Sequence, residues 1–194
     1  MYKNYFKRIL DFILSFTGIL VIAPILIICA LLIKVTSKGP LFFLQERLGK
    51  NGKTFFVYKF RTMTDKKREV NREILKGDAE VTKIGYYLRR FKIDELPQII
   101  NVLKGEMALV GPRPCMPFQK NEFNEDGFYR LKVTPGLTGL AQVNGNIHLS
   151  WPERWKYDRY YVENLSFILD VKIILKTVSI VFLGEEKYIK KPNV

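Results

Sequence analysis

The chain has 194 residues, which is enough for one domain with a hydrophobic core. Its formal net charge is +13, from 32 lysines and arginines against 19 acidic residues, so an anionic partner is expected. The sequence carries no nucleic-acid-binding motif and its aromatic residues do not interleave with its basic clusters. These features exclude nucleic acid as the expected partner and favour an anionic lipid surface. Two cysteines in very different surroundings exclude a disulfide framework and a cysteine zinc site.

The first 38 residues are predicted to enter a membrane. A basic, amphipathic lead-in is followed by 22 residues, Phe12 to Ile33, without a charge, and a helix of that length can cross about 30 Å of hydrocarbon. Pro24 lies in the middle, where a proline removes a backbone hydrogen bond. Because basic residues flank both ends, the positive-inside rule identifies no outside end. A helix hairpin that enters one leaflet and returns, and a single kinked span, both remain open.

Residues 39–64 predict a small β-hairpin. Two β-prone runs, Leu41 to Gln45 and Thr54 to Phe60, flank an Asn-Gly pair that is typical of hairpin turns. Lys59 and Arg61 alternate with aromatic residues, which places both cations on one face of the second strand. That face is either solvated or part of a binding site. Residues 65–80 are dense in both signs of charge and predict a solvated helix or loop without chemistry of its own.

Two adjacent carboxylates, Asp94 and Glu95, lie within a strongly basic stretch, residues 89–97. Apolar residues at i, i+3, i+4 and i+7 predict a helix that ends at Gly105 and turns this face inward; they are Leu96, Ile99, Ile100 and Leu103. Asp94 falls at or beside the predicted N-cap. It is either only a helix cap or a carboxylate that attacks a phosphoryl centre while cations reduce the repulsion. The macrodipole and the cations predict that both carboxylates stay ionised at neutral pH.

The remainder of the chain contains a second candidate anion site and two long helices. Two prolines fix the backbone around Arg113, as suits a side chain that binds an anion. After a connector with a short charged helix (115–130), the loop 133–145 offers Gln142 and other polar groups either to a ligand or only to its own turns. A helix is predicted over 151–164. A strongly apolar one with three charges, over 166–183, either lies in the headgroup zone or is buried in the core.

Four motifs, in this order, resemble the bacterial sugar transferases, the small monotopic polyprenyl-phosphate phosphoglycosyl transferases. They are Lys59–Met63, Asp94–Gln98, Asn101–Met107 and Val110–Pro114, and the resemblance extends to about Gly184. It implies an α+β, mostly helical monotopic membrane protein with a small β-hairpin. Residues 1–38 would form a re-entrant helix broken at Pro24. Residues 39–184 would form a catalytic domain with amphipathic interfacial helices on the cytoplasmic face of the bacterial plasma (inner) membrane, and residues 185–194 a polar tail.

The resemblance also implies an activity. A sugar phosphate would move from a UDP-sugar to polyprenyl (undecaprenyl) phosphate, with release of UMP, in the first membrane step of polysaccharide biosynthesis. Asp94 would form a phosphosugar-aspartyl intermediate, with Asp94, Glu95 and the donor diphosphate holding Mg²⁺. Anionic lipids would be further partners, and a homodimer is compatible with such a protein. The expected phosphate-binding and substrate-binding residues are Arg89, Arg113, Lys59, Arg61 and Gln142.

The sequence departs from many members of that family at three positions. Ala23 precedes Pro24 where a serine is frequent, and Thr134 and Asn146 stand where arginine is frequent. Because these two arginines are missing, the family's contacts between this loop and the donor phosphate do not carry over directly to this chain. The sequence does not indicate which sugar is transferred. Two other functions remain open. One is a glycosyltransferase that moves the bare sugar and releases UDP, and the other is a non-catalytic membrane-surface scaffold of an envelope-polysaccharide complex.

Overall fold

The computed structural model describes residues 2–64 and 80–184, so the predictions for residues 65–79 and for the tail from 185 lie outside the described residues. The described part is mostly helical, with two small two-stranded sheets. The strands are β1 (Phe42–Leu48), β2 (Thr54–Phe60), β3 (Ala108–Val110) and β4 (Gly136–Thr138). The α-helices are α1 (Lys7–Thr36), α2 (Lys83–Arg90), α3 (Ile99–Lys104), α4 (Glu125–Tyr129), α5 (Leu140–Val143), α6 (Trp151–Glu163) and α7 (Phe167–Leu183).

The N-terminal helix α1 is a continuous helix of 30 residues that runs through Pro24, where the sequence predicted a break between two arms. In the described part of the chain it is the one helix that is long and apolar enough to cross a membrane. No residue from 16 to 28 is buried. The buried residues lie near the two ends and are Lys7, Asp11, Ser15, Cys29 and Ile33. Both ends therefore pack against the globular part while the central apolar residues face outward.

Hydrogen bonds of two arginines hold the two ends of α1 against the globular part. Arg8 donates to the carbonyl oxygens of Val102 and Leu103, near the C-terminal end of α3. Helix C-termini leave carbonyls without intrahelical partners, so a guanidinium is favourable there. At the other end, Arg61 donates to the carbonyl oxygens of Ser37 and Lys38, at 2.8 and 2.5 Å. Because both anchors lie on the same globular part, α1 is held across it.

The predicted β-hairpin is confirmed. β1 and β2 pair antiparallel, with Phe42 opposite Phe60 and Leu48 opposite Thr54. Asn51 and Gly52 in the turn have φ values of 59° and 74°, the positive values that an Asn-Gly turn requires. The face of β2 that carries Lys59 also carries Phe55 and Val57, which pack in a cluster with Val102 and Met107. Lys59 therefore does not lie on a solvated face, and the alternation instead brings it over α3.

The segment that carries the two carboxylates is wound more tightly than predicted. A 3₁₀ helix, Ile93–Gln98, precedes α3, and its N-cap is Lys92, with a φ of 55°. The prediction that Asp94 lies at or beside the N-cap is therefore wrong, because the N-cap is Lys92 and Asp94 lies inside the first 3₁₀ turn. Gly105 ends α3 with a φ of 85°, as predicted.

The predicted inward face of this helix is only partly right. Ile99 is buried, but Leu96, Ile100 and Leu103 are only half-buried. The tighter 3₁₀ winding, with 3.0 residues per turn, shifts the inward positions relative to an α-helical pattern. The buried residues are Pro97, Gln98, Ile99, Asn101 and Val102. Asn101 joins α3 to β2. Its amide nitrogen donates to the Phe56 carbonyl at 2.7 Å, and its amide oxygen accepts from the Tyr58 N–H at 3.1 Å.

Residues 133–145, predicted as a loop, contain strand β4 and helix α5. β4 pairs in parallel with β3, Ala108 opposite Gly136 and Val110 opposite Thr138. The two backbones approach so closely that a Cβ on Gly136 would lie 2.1 Å from the backbone nitrogen of Gly111. Gly111 begins the segment that carries Arg113, and Pro112 and Pro114 are buried beside it while Arg113 is exposed. The close approach therefore sets the position of Arg113.

We expect Gly136→Ala to lower the free energy of unfolding by roughly 2–3 kcal/mol, because backbone atoms cannot move aside as a flexible side chain can. Denaturant unfolding of the detergent-solubilised chain measures it. The control is Gly18→Ala in α1, whose added Cβ would meet only the Ile99 Cδ1 atom, at 3.4 Å, and which should leave stability unchanged or slightly higher. If Gly136→Ala and Gly18→Ala unfold with equal free energies, the close approach of the Gly136 and Gly111 backbones is not required for stability.

Helices α6 and α7 complete the core. A cluster of buried residues joins β3, α5, α6 and α7, namely Val110, Val133, Val143, Tyr161, Val162 and Ile173. In α7 only Asp170 and Ile173 are buried, which argues against the alternative of a core helix. The rest of its apolar surface is exposed and includes Phe167, Ile168, Val171, Leu175, Val178, Val181, Phe182 and Leu183. The outer face of α7 is thus strongly apolar.

Candidate active site

An open cavity of about 820 Å³ lies between the β-hairpin, the 3₁₀ helix and α7. All seven polar residues predicted from the sequence line it, although they are far apart in the chain. They are Lys59, Arg61, Arg89, Asp94, Glu95, Arg113 and Gln142. Pro24, predicted as a membrane break, lies in α1 and does not line this cavity. The tertiary structure therefore gathers the predicted site residues into one place.

Glu95 is paired with two cations. Its Oε1 lies 2.7 Å from the Nζ of Lys59 and 2.8 Å from Nη2 of Arg113. Burial would raise the pKa of this carboxyl, but the positive charges and hydrogen bonds of Arg113 and Lys59 hold its pKa well below the usual range. Glu95 is therefore ionised at neutral pH, as predicted, and it positions the two cations at the cavity wall.

Asp94 has different surroundings. Burial and the negative charge of Glu95 raise the pKa of Asp94, against the opposing effect of Lys59 and Arg89. The two carboxylates therefore have different environments, and the expectation that both stay ionised at neutral pH remains a prediction for Asp94. In the described part of the chain the Asp94 carboxylate forms no ion pair, whereas Glu95 has two.

The remaining predicted residues differ in what they contact. Arg89 binds a side chain near Asp94, whereas Arg61 and Gln142 bind backbone carbonyls. The Nε of Arg89 donates to the Thr62 hydroxyl at 2.8 Å, which fixes its guanidinium on the cavity wall near Asp94. Arg61 is 6% exposed and its Nη atoms hold the end of α1, so its first role here is to position that helix. Gln142 donates from Nε2 to the Leu137 carbonyl at 3.2 Å. Arg89, Arg113 and Lys59 are thus the predicted cations nearest to the carboxylates.

The structure adds residues that the sequence interpretation did not assign. Lys92 and Arg154 line the cavity. Lys92 belongs to the basic stretch 89–97, so local composition could have indicated it. Arg154 carries no local signal, because its position depends on how α6 packs against the loop after α5.

Part of the cavity lining is apolar. These residues come mainly from β1, the α5 region and α7, and include Phe42, Phe43, Val143, Ile147, Ile180 and Val181. The cations and carboxylates supply the polar part of the lining. Such a cavity suits a ligand, or a pair of ligands, with both anionic and hydrocarbon parts.

The described residues hold no group of three or more His, Cys, Asp or Glu side chains that could bind a metal by themselves. They do present two adjacent carboxylates on the cavity wall. Mg²⁺ is commonly held by one or two carboxylates together with substrate phosphates. The donor set of Asp94 and Glu95 therefore fits an ion shared with a phosphate-bearing substrate, and it does not fit a closed structural metal site.

The fold and the cavity combine a helix long and apolar enough to cross a membrane with a cation-rich cavity that holds two adjacent carboxylates. The chain belongs to the bacterial sugar transferase family, whose sequence model matches residues 2–184. The resemblance stated from the four motifs is thereby confirmed, and with it the assignment of the chain to the transferases.

Three relatives illustrate the similarity. The chain is 40% identical to an uncharacterized sugar transferase, EpsL, of Bacillus subtilis, over 92% of this chain and 88% of that protein. It is 41% identical to UDP-glucose:undecaprenyl-phosphate glucose-1-phosphate transferase of Klebsiella pneumoniae, over 94% of this chain and 41% of that protein. It is 35% identical to undecaprenyl-phosphate galactose phosphotransferase of Salmonella typhimurium, over 96% of this chain and 42% of that protein. The chain thus spans about two fifths of the length of the two relatives whose names state an activity.

Proposed function

We propose that this chain is a phosphoglycosyl transferase that moves a sugar phosphate from a UDP-sugar to polyprenyl phosphate and releases UMP. The observation that carries the proposal is Asp94, unpaired among the described residues, at the wall of a cavity that also holds Arg89, Lys59 and Arg113. The names of the Klebsiella and Salmonella relatives, which act with undecaprenyl phosphate, support it. The apolar part of the cavity lining provides a place for the hydrocarbon of the acceptor.

Two displacements account for the transfer. A carboxylate oxygen of Asp94 attacks the sugar-linked phosphorus, and the bond from this phosphorus to the bridging oxygen breaks. UMP leaves with that electron pair, so the sugar phosphate is bonded to Asp94. An oxygen of the lipid phosphate then attacks the same phosphorus, and the Asp94 carboxylate is restored. No net proton transfer is required, and the two anionic substrates need not meet face to face.

The residues around Asp94 have separate tasks in this scheme. Arg89 and Arg113 offset negative charge that accumulates at phosphorus. Glu95 keeps Lys59 and Arg113 in place. Mg²⁺, held by Asp94 and Glu95 together with the donor diphosphate, would supply further neutralisation of the phosphate charge.

The nucleotide product tests the proposal. The purified full chain, in detergent with Mg²⁺ and polyprenyl phosphate, is incubated with a panel of UDP-sugars, because the names of relatives include glucose, galactose and N-acetylgalactosamine. We expect UMP with at least one sugar. Release of UDP would instead identify a glycosyltransferase. The absence of any nucleotide product across the panel would favour the non-catalytic scaffold.

The membrane arrangement proposed here is monotopic, on the cytoplasmic face of the bacterial inner membrane. It is supported by the two ends of α1, which both pack on the globular part, and by the exposed apolar face of α7. In this arrangement α1, although continuous, would bend at Pro24, so that its apolar centre enters one leaflet while both of its ends stay at the cytoplasmic face. A spanning helix would carry one of its ends to the far side of the bilayer, away from the globular part.

Topology mapping checks this arrangement. We expect reporter fusions at both termini to report the cytoplasm, and a cysteine introduced at Lys38 to be labelled only from that side. The same cysteine reagents applied to whole cells and to inverted vesicles provide the matched comparison. An N-terminus outside the cell would establish a spanning helix.

A further inference from the structure

A second, smaller pocket of about 80 Å³ adjoins the active-site cavity. Four arginines line it, contributed by β1, the segment after β3, the segment after α4, and α6. They are Arg47, Arg113, Arg130 and Arg154. Arg113 and Arg154 also line the large cavity, so the pocket opens beside the proposed nucleophile.

The positive charge of this pocket is only partly balanced. Asp158 lies in the pocket, where its Oδ2 is 3.2 Å from Nε of Arg130, and Glu95 balances Arg113. The other two arginines bind neutral groups. Arg47 donates to the Pro114 carbonyl at 3.1 Å and Arg154 to the Leu149 carbonyl at 3.0 Å. Among the described residues, neither Arg47 nor Arg154 has a carboxylate within ion-pair distance.

One donor in the pocket is unsatisfied. Arg130 is 5% exposed, and its Nη1 has no hydrogen-bond partner among the described residues. A buried guanidinium donor without a partner costs free energy unless a ligand or water completes it. Burial and the neighbouring Arg113 also lower the pKa of Arg47 to about 10, as expected where like charges are crowded. A bound anion would relieve both conditions.

The size and the walls of the pocket limit what this anion can be. The pocket measures about 80 Å³ against about 820 Å³ for the large cavity, which suits a phosphate group and not a whole nucleotide or lipid. No residue of α7 lines it, whereas Ile180 and Val181 of α7 line the large cavity. Helix α7 therefore forms no wall of this pocket. Trp151, at the rim of the pocket, is 38% exposed and carries Arg154 over its ring at 4.5 Å.

We infer that this arginine pocket binds the phosphate of the nucleoside monophosphate that leaves in the proposed reaction. The inference rests on the proposed function. It adds that Arg47, Arg130 and Arg154 bind the leaving phosphate, and that Arg113 lines both this pocket and the large cavity. It also means that the free enzyme binds UMP through its phosphate.

Isothermal titration of the detergent-solubilised full chain with UMP, uridine and inorganic phosphate tests this without any variant. We expect UMP and phosphate to bind at one shared site, and uridine to bind at least about tenfold more weakly than UMP, because a charged hydrogen bond is lost. Equal affinity for UMP and uridine would overturn the assignment.

Two variants and a matched control extend the test. Arg47→Gln and Arg154→Gln should each raise the dissociation constant of UMP about tenfold or more. Lys156→Gln removes one charge from an exposed residue of the same helix α6 that lines neither cavity, and should leave UMP binding unchanged. If the arginine variants bind UMP as the control does, the pocket assignment is wrong even where UMP release has been demonstrated. If UMP binding depends on the arginines but no UDP-sugar yields UMP, the proposed activity fails and the pocket assignment stands.

Discussion

Asp94→Asn should reduce turnover by about four to six orders of magnitude, the loss typical when a covalent nucleophile is removed. The amide is nearly the same size as the carboxylate but cannot form the proposed bond to phosphorus. The cations that bind the donor, Arg89, Arg113 and Lys59, are unchanged by the substitution, so the dissociation constant of the UDP-sugar should change by less than tenfold, about 1.4 kcal/mol. Release of UMP measures turnover, and isothermal titration measures donor binding.

Two further observations separate a nucleophile from a structural carboxylate. In the wild-type chain, with the acceptor withheld, intact mass spectrometry should detect a sugar-phosphate adduct, and peptide mapping should place it on Asp94. Asp126→Asn is the matched control, because Asp126 lies in α4 outside both cavities and pairs with Arg159 at 2.8 Å. This variant should keep both the activity and the adduct. Near-wild-type turnover in Asp94→Asn would remove the basis of the proposed mechanism.

Asp170→Asn should lower the free energy of unfolding by about 3–5 kcal/mol, the usual cost of removing one partner from a buried ion pair. Asp170 is 4% exposed, and its Oδ2 accepts from the Nζ of Lys7 at 2.6 Å and from the Tyr2 hydroxyl at 2.7 Å. The Tyr161 hydroxyl lies 2.7 Å from Oδ1. Burial and Asp170 raise the pKa of both tyrosines, so their hydroxyls keep their protons and can donate. The substitution leaves Lys7 buried with only Asp11, 3.6 Å away.

The cluster of Tyr2, Lys7, Tyr161 and Asp170 joins the first turn of α1 to α7, the two elements proposed to contact the membrane. Thermal or denaturant unfolding in detergent gives the free energies for Asp170→Asn, Lys7→Met and the double variant. The double variant should recover part of the loss, because replacing both charges removes the unpaired one. Asp126→Asn again serves as control, since its partly exposed pair with Arg159 should contribute about 1 kcal/mol or less. Strictly additive effects of the two single substitutions would show that Lys7 and Asp170 do not stabilise each other.

The sequence predicted the elements whose causes are local. The Asn-Gly turn specified the β-hairpin, Gly105 specified the end of α3, and the uncharged run specified the apolar helix. Its largest local error was the region around Asp94, where a 3₁₀ helix moved the cap to Lys92. Helical periodicity does not distinguish 3.6 from 3.0 residues per turn over six residues, so this error could not be seen in the pattern.

For the candidate site, the sequence supplied which residues to examine but not what each of them contacts. It predicted seven polar residues that line one cavity. It did not predict that Glu95 would be paired with Lys59 and Arg113 while Asp94 forms no ion pair among the described residues. It also did not separate Arg61, which holds the end of α1, from cations nearer the carboxylates.

By itself, the sequence determined the family of this protein, its apolar anchor and the acidic pair among cations, because motif order, composition and turn chemistry are properties of neighbouring residues. The tertiary structure alone decided how Lys7 meets Asp170, 163 positions away, and how four arginines from separate segments converge on one pocket. Contacts of that kind depend on how elements pack, and packing is set by the shape and burial of the whole chain. The charge that a site presents to its ligand is therefore a property of the fold.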